Sequence, residues 1–102
     1  MYRARDRVEN EEWLVRIDRA GDSLELGADA RSVAVDLFLS HVPEAERSKP
    51  AVAAASLYAG GLIVGEERSQ ARVAETMDVS RLSIQTRWKD LLRDAGFQPP
   101  EW

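Results

Sequence analysis

The stretch AVAAASLYAGGLIVG, residues 51–65, carries no charged side chain. A helix with no polar face has no side to turn to water, so it must lie inside the fold with neighbours all round. Ser48-Lys49-Pro50 opens it, because proline is tolerated in a first turn where its missing N–H is not needed. Gly65 is placed to stop it. The alanines, with Gly60 and Gly61, keep this helix thin. Each interior glycine costs up to about 1 kcal/mol, so close packing by a neighbour is the expected compensation. Gly60-Gly61 is not a phosphate loop, since no strand precedes it and no Gly-Lys-Ser/Thr follows.

Shorter amphipathic helices flank this one. Asn10 is expected as an N-cap, with Glu11 and Glu12 near the positive end of the helix dipole. Trp13, Leu14 and Ile17 form the buried stripe of that helix, and Gly21 is expected to end it. Asp29 is expected to cap a second helix. There Ala30, Val33, Ala34, Leu37 and Phe38 make one apolar face, Val35, Leu39 and Val42 another, and Pro43 the end. His41, the only histidine, has no thiol or serine partner in the pattern and reads as structural. Residues 1–9 alternate charge and read as a flexible lead whose Arg3, Arg5 and Arg7 can touch phosphate.

Ser69–Arg93 reads as two capped helices joined by a tight corner. Ser69 and Ser80 can each accept the unpaired N–H groups of a first turn. Val73, Ala74 and Met77 form one apolar stripe; Ile84, Trp88, Leu91, Leu92 and Ala95 form the next. Asp78 sits at the corner, where it tolerates left-handed backbone better than most residues. The pattern is a helix-turn-helix over 69–94, whose second helix can enter the DNA major groove. With its apolar stripe turned inward, that helix offers Arg81, Leu82, Gln85 and Thr86 toward base edges, and Ser80 at its start is a further candidate for DNA contact. Lys89, Arg93 and Arg72 are the candidates for phosphate. Arg87 is expected to pair with Asp90 or Asp94 across one turn.

Composition bounds the remainder. A chain of 102 residues suits one domain, and the absence of cysteine excludes disulfides and thiolate zinc sites. No apolar run approaches the roughly 20 residues that span a bilayer. The start of the chain lacks the apolar core of a signal peptide, so a cytoplasmic location is expected. Paired carboxylates such as Glu66-Glu67 lie in a polar turn, so neither an enzyme nor a cofactor site is expected. Eighteen acidic against fourteen basic residues give a net charge of −4, with lysine only at Lys49 and Lys89. That balance fits an ordinary acidic protein and equally one kept soluble in concentrated salt.

Two motifs, in order, resemble the family of archaeal transcription factor B and general transcription factor IIB. Pro50-Ala51-Val52-Ala53-Ala54-Ala55-Ser56-Leu57-Tyr58 is similar to its central-helix motif. Ser69-Gln70, Val73-Ala74, Val79-Ser80, Ser83-Ile84 and Arg87-Trp88-Lys89-Asp90-Leu91 follow its C-terminal repeat. The residue patterns give five helices, near 10–20, 29–42, 49–64, 70–77 and 81–94, and the resemblance implies that they form an all-α, cyclin-like domain over 10–95 with a tail over 96–102. It implies a DNA-binding accessory regulator of transcription acting on promoter double-stranded DNA. TATA-binding protein, RNA polymerase or a second copy of the chain are the expected partners. The alternative is an interaction module that binds TATA-binding protein or polymerase without reading DNA. The family also carries a zinc ribbon, for which this sequence supplies no cysteine, and two repeats, where this length holds one. Gln85 replaces the family's usual arginine, Thr86 a common asparagine, and Arg81 a common acid, so the reading face differs from the family's.

Overall fold

The computed structural model describes residues 4–98, and its regular structure is helical throughout. Among those residues the helices are α1 (Ala4–Glu9), α2 (Glu11–Ser23), α3 (Ala28–Ser40), α4 (Lys49–Val64), α5 (Gln70–Met77), α6 (Arg81–Gln85) and α7 (Trp88–Asp94). A short 3-10 turn, Glu46–Ser48, leads into α4. Seven helices thus replace the five expected. Ala4–Glu9 is helical where a lead was predicted, and the predicted last helix is divided in two. Arg3 and residues 99–102 of the predicted tail lie outside the described residues.

The uncharged helix is central, as its composition requires. Every residue of α4 from Ala51 to Gly61 is buried, and the helix packs against α2, α3, α5, α6 and α7. Pro50 lies in its first turn and Gly65 closes it with φ of 80°. Its closest neighbour is α3. A Cβ at Gly60 would stand 2.9 Å from the Ala30 carbonyl oxygen and 3.0 Å from the Ala34 nitrogen. The glycine therefore lets two backbones meet, which is the compensation its cost demands.

The ends of α2 and α3 differ from expectation. Gly21 does not stop α2, which continues to Ser23. The Leu26 N–H donates to the Gly21 carbonyl at 2.9 Å and the Glu25 N–H to Asp22 at 3.1 Å, with Glu25 left-handed at φ of 57°. This is a Schellman closure, with glutamate where glycine is usual. Gly21 instead makes room for Arg31, since a Cβ there would lie 2.8 Å from the arginine Cδ. Arg31 donates to Asp22 at 2.6 Å and to the Leu26 carbonyl at 2.9 Å, tying α3 to the end of α2. Asp29 is not the cap of α3. Gly27 holds that position and Asp29 lies in the first turn. Asn10 occupies the N-cap position of α2, but its side chain makes no capping bond.

Two residues between α4 and α5 tie that connection to this corner. The Glu66 carboxylate accepts from the Gly27 N–H at 3.0 Å. Arg68 donates to the Leu24 carbonyl at 2.8 Å and to that of Glu25 at 3.0 Å. At the opposite end, His41 links α3 to α7, with Nδ1 2.8 Å from the Leu37 carbonyl and Nε2 3.1 Å from the Asp94 carboxylate. The α4–α5 connection is thereby tied to the start of α3, and α7 to its end.

Candidate nucleic-acid interface

The helix-turn-helix corner forms as its residues dictate. Ser69 Oγ accepts from the Arg72 N–H at 3.1 Å, and Ser80 Oγ from the Ser83 N–H at 3.2 Å. Asp78 is left-handed at φ of 57°, and the Val79 N–H reaches back to the Ala74 carbonyl at 3.0 Å. Val73, Ala74, Ile84, Trp88, Leu91 and Leu92 are buried, with Ile84 fully enclosed and Trp88 2% exposed. Ala95, expected in the same stripe, is exposed.

The second helix is not continuous. It breaks between Gln85 and Trp88, where the Arg87 N–H donates to Ile84, three residues back, at 3.0 Å. Thr86 Oγ1 donates to the Leu82 carbonyl at 3.0 Å, and Arg87 Nη1 to the Ser83 carbonyl at 3.1 Å. Side chains that enter the backbone ladder in this way bend or interrupt helices. The expected pairing of Arg87 with Asp90 or Asp94 does not form. Asp90 accepts from Arg93 at 3.0 Å, and Asp94 faces His41.

The outer face remains apolar at one point and polar around it. Leu82 is 65% exposed, and Ser80, Arg81, Gln85 and Thr86 are exposed beside it. Arg81, Gln85 and Lys89 meet Gln70 and Trp88 around a cleft of about 250 Å³. The Lys89 ammonium lies 5.6 Å from the Trp88 ring centroid, within the range of a cation–π contact. Arg72 is not part of this group, because its guanidinium donates to the Ser23 carbonyl at the end of α2. Arg93 is held by Asp90, and the Ser80 hydroxyl caps α6 while meeting Ser83 Oγ at 2.9 Å.

Gln70 is the residue that the sequence pattern missed. It opens α5 beside the capping Ser69, but only the folded corner carries it across to Arg81 and Lys89. Its Oε1 is buried without a hydrogen-bond partner among the described residues. Burial pushes the Tyr58 phenol up from its ordinary pKa, and the neighbouring Gln70 amide partly opposes that rise. Among the described residues no group of three or more His, Asp or Glu converges to hold a metal ion. No helix there is long and apolar enough to cross a membrane.

A buried central helix ringed by others and ending in a capped helix-turn-helix defines an all-α repeat of the cyclin-like class. Residues 14–94 match the family described as Transcription factor TFIIB repeat, and the chain belongs to it. Over 87 residues it is 29% identical to Transcription initiation factor IIB 2 of Thermococcus kodakarensis, covering 82% of this chain and 28% of that protein. Transcription initiation factor IIB of Pyrococcus horikoshii is 30% identical over the same span, with 82% and 29% covered. Transcription initiation factor IIB 1 of Thermoplasma volcanium is 36% identical over 78 residues, with 74% and 25% covered. The chain therefore spans less than a third of the length of these relatives.

Proposed function

We propose that the chain is an accessory transcription regulator that binds double-stranded promoter DNA through α6 and α7. The supporting observation is the convergence of Arg81, Gln85 and Lys89 on one cleft beside exposed Leu82. A glutamine can bond bidentately to adenine, a leucine can meet a thymine methyl, and the two cations can meet phosphate or guanine. Ser80 and Thr86 flank these groups, while Arg93 and Arg72 become available to phosphate on exchanging their internal partners. Selection of binding sites from random DNA tests the reading. An enriched motif is expected from the wild type, and Gln85→Ala should relax one position of it by about 1–3 kcal/mol. No enriched motif would end the base-reading claim.

A second reading is an interaction module that occupies TATA-binding protein or RNA polymerase without sequence-specific contact. The engagement of Arg72, Arg87 and Arg93 with groups of the chain itself favours it, because fewer cations then face DNA. Binding to either protein that survives the combined change of Arg81, Gln85 and Lys89 to alanine, with regulation intact, would select this reading.

A further inference from the structure

We propose that Arg87 is a positioning residue which, with Thr86, sets the angular offset between the base-facing side chains of α6 and the phosphate-facing cations of α7. The inference rests on the DNA-binding reading above and concerns how that surface is shaped. The hydrogen bonds at the break form a consistent set. Thr86 Oγ1 donates its one proton toward the Leu82 carbonyl at 3.0 Å and accepts from Arg87 Nη1 at 3.2 Å. The same Nη1 group donates to the Ser83 carbonyl at 3.1 Å, the oxygen that the Arg87 N–H would use in a continuous helix. That N–H turns instead to Ile84 at 3.0 Å, and Arg87 leaves helical geometry at φ of −121°. The guanidinium has thus taken over an acceptor of the helix ladder.

The consequence is geometric. A residue in a 3-10 turn advances the helix by about 120° rather than about 100°. Thr86 still bonds Leu82 four residues back, so the one shortened step at Arg87 rotates α7 relative to α6 by roughly 20° compared with an unbroken helix. Ile84, Trp88 and Leu91 stay buried across the break, so the core accepts this rotation. Lys89 and Arg93 then face the DNA backbone from a different angle, relative to Leu82 and Gln85, than a straight helix would give. Arg87 contributes this offset with its charge directed at its own helix rather than outward. Its loss is therefore expected to change which sequence is read, not how strongly salt competes.

The test compares Arg87→Met, which keeps an unbranched stem, with Thr86→Val, which keeps the shape of an exposed side chain and removes its hydroxyl. Backbone chemical shifts of residues 84–89 in the free protein report whether the break closes. Site selection and a salt series on the selected DNA report what is read and how many phosphates are met. Both variants are expected to close the break and to select the same altered motif, with affinity for the wild-type site lower by about tenfold and the salt slope unchanged. Should Arg87→Met fail to fold, Thr86→Val read by the same shifts and the same altered motif carries the test. A salt slope reduced by about one with the motif retained would make Arg87 a phosphate contact and overturn the inference. A motif altered by Thr86→Val while a folded Arg87→Met retains it would make Thr86 a direct base contact, again overturning it. An unchanged motif from both variants would show that the break does not set the reading geometry. No motif from the wild type overturns the DNA reading itself, and this inference with it.

Discussion

The ring of Tyr58 meets the ring of Trp88 edge-on, with centroids 5.4 Å apart and planes at 79°. Tyr58 belongs to the central helix α4, and Trp88 opens α7 immediately after the break. This pair joins the candidate DNA-binding segment to the core. Edge-to-face aromatic pairs add about 0.5–1.5 kcal/mol beyond the area they bury. Trp88→Ala loses that contact and leaves a large cavity, so it is expected to cost about 3–5 kcal/mol. A typical domain holds only about 5–15 kcal/mol in total. Urea unfolding should show a midpoint shifted far downward, and an unshifted midpoint would contradict the anchoring role.

Tyr58 also gives the fold an alkaline limit. Its phenol is raised from the ordinary value, chiefly by burial. The folded state therefore keeps this proton at pH values where the unfolded chain, titrating near about pH 10, has released it. The stability contributed by the neutral phenol is full below about pH 10 and is lost as pH rises through the folded value. Tyr58→Phe cannot ionise and should lose less stability between neutral and strongly alkaline solution. The urea midpoint of the wild type should fall further than that of Tyr58→Phe across that pH range, and parallel curves would refute the assignment.

Gly60→Ala tests the approach of α3 to α4. Alanine is the better helix former by about 1 kcal/mol, so propensity alone predicts stabilisation. The added methyl would meet the Ala30 and Ala34 backbone at 2.9–3.0 Å, where no flexible side chain can yield. Overpacking of this kind costs about 1–3 kcal/mol. A net loss is expected. A raised melting temperature would mean that the two helices have room to part.

The sequence makes some of these features legible and conceals others for physical reasons. A run without charge admits one placement, so α4 and its burial follow from residues 51–65 alone. Ser69, Ser80 and Asp78 act through bonds and dihedrals local to the chain, and each occupies the position its chemistry favours. The end of α2 was not legible, because its closure puts Glu25 into a conformation glutamate rarely adopts while the nearby glycine serves Arg31. The break at Thr86-Arg87 was hidden because the apolar spacing of Ile84, Trp88 and Leu91 continues across it. Gln70 reaches the cleft only through tertiary packing, which no local pattern encodes.

The internal pairing of cations predicts how salt should act on DNA binding. Over residues 69–102 the bases Arg72, Arg81, Arg87, Lys89 and Arg93 are balanced by Glu75, Asp78, Asp90, Asp94 and Glu101. Arg87 bonds its own helix and Arg72 the end of α2, leaving Arg81 and Lys89 at the cleft. Arg93 joins them only by exchanging Asp90 for phosphate, an exposed pair that is cheap to break. Each neutralised phosphate contributes about −0.9 to the slope of log affinity against log salt. Two or three contacts give a slope of about −2 to −3, so tenfold more salt should weaken binding by about two to three log units. The isolated chain is therefore expected to bind weakly, and scarcely at all in concentrated salt. A tethering partner turns the second binding event into an intramolecular one and raises affinity without new DNA contacts. Titration of labelled DNA with the chain alone, and with TATA-binding protein added, across a salt series should show weak binding rescued by the partner. Tight, specific binding by the isolated monomer at high salt would overturn the tethering prediction and show that more phosphates are met than Arg81, Lys89 and Arg93 can account for.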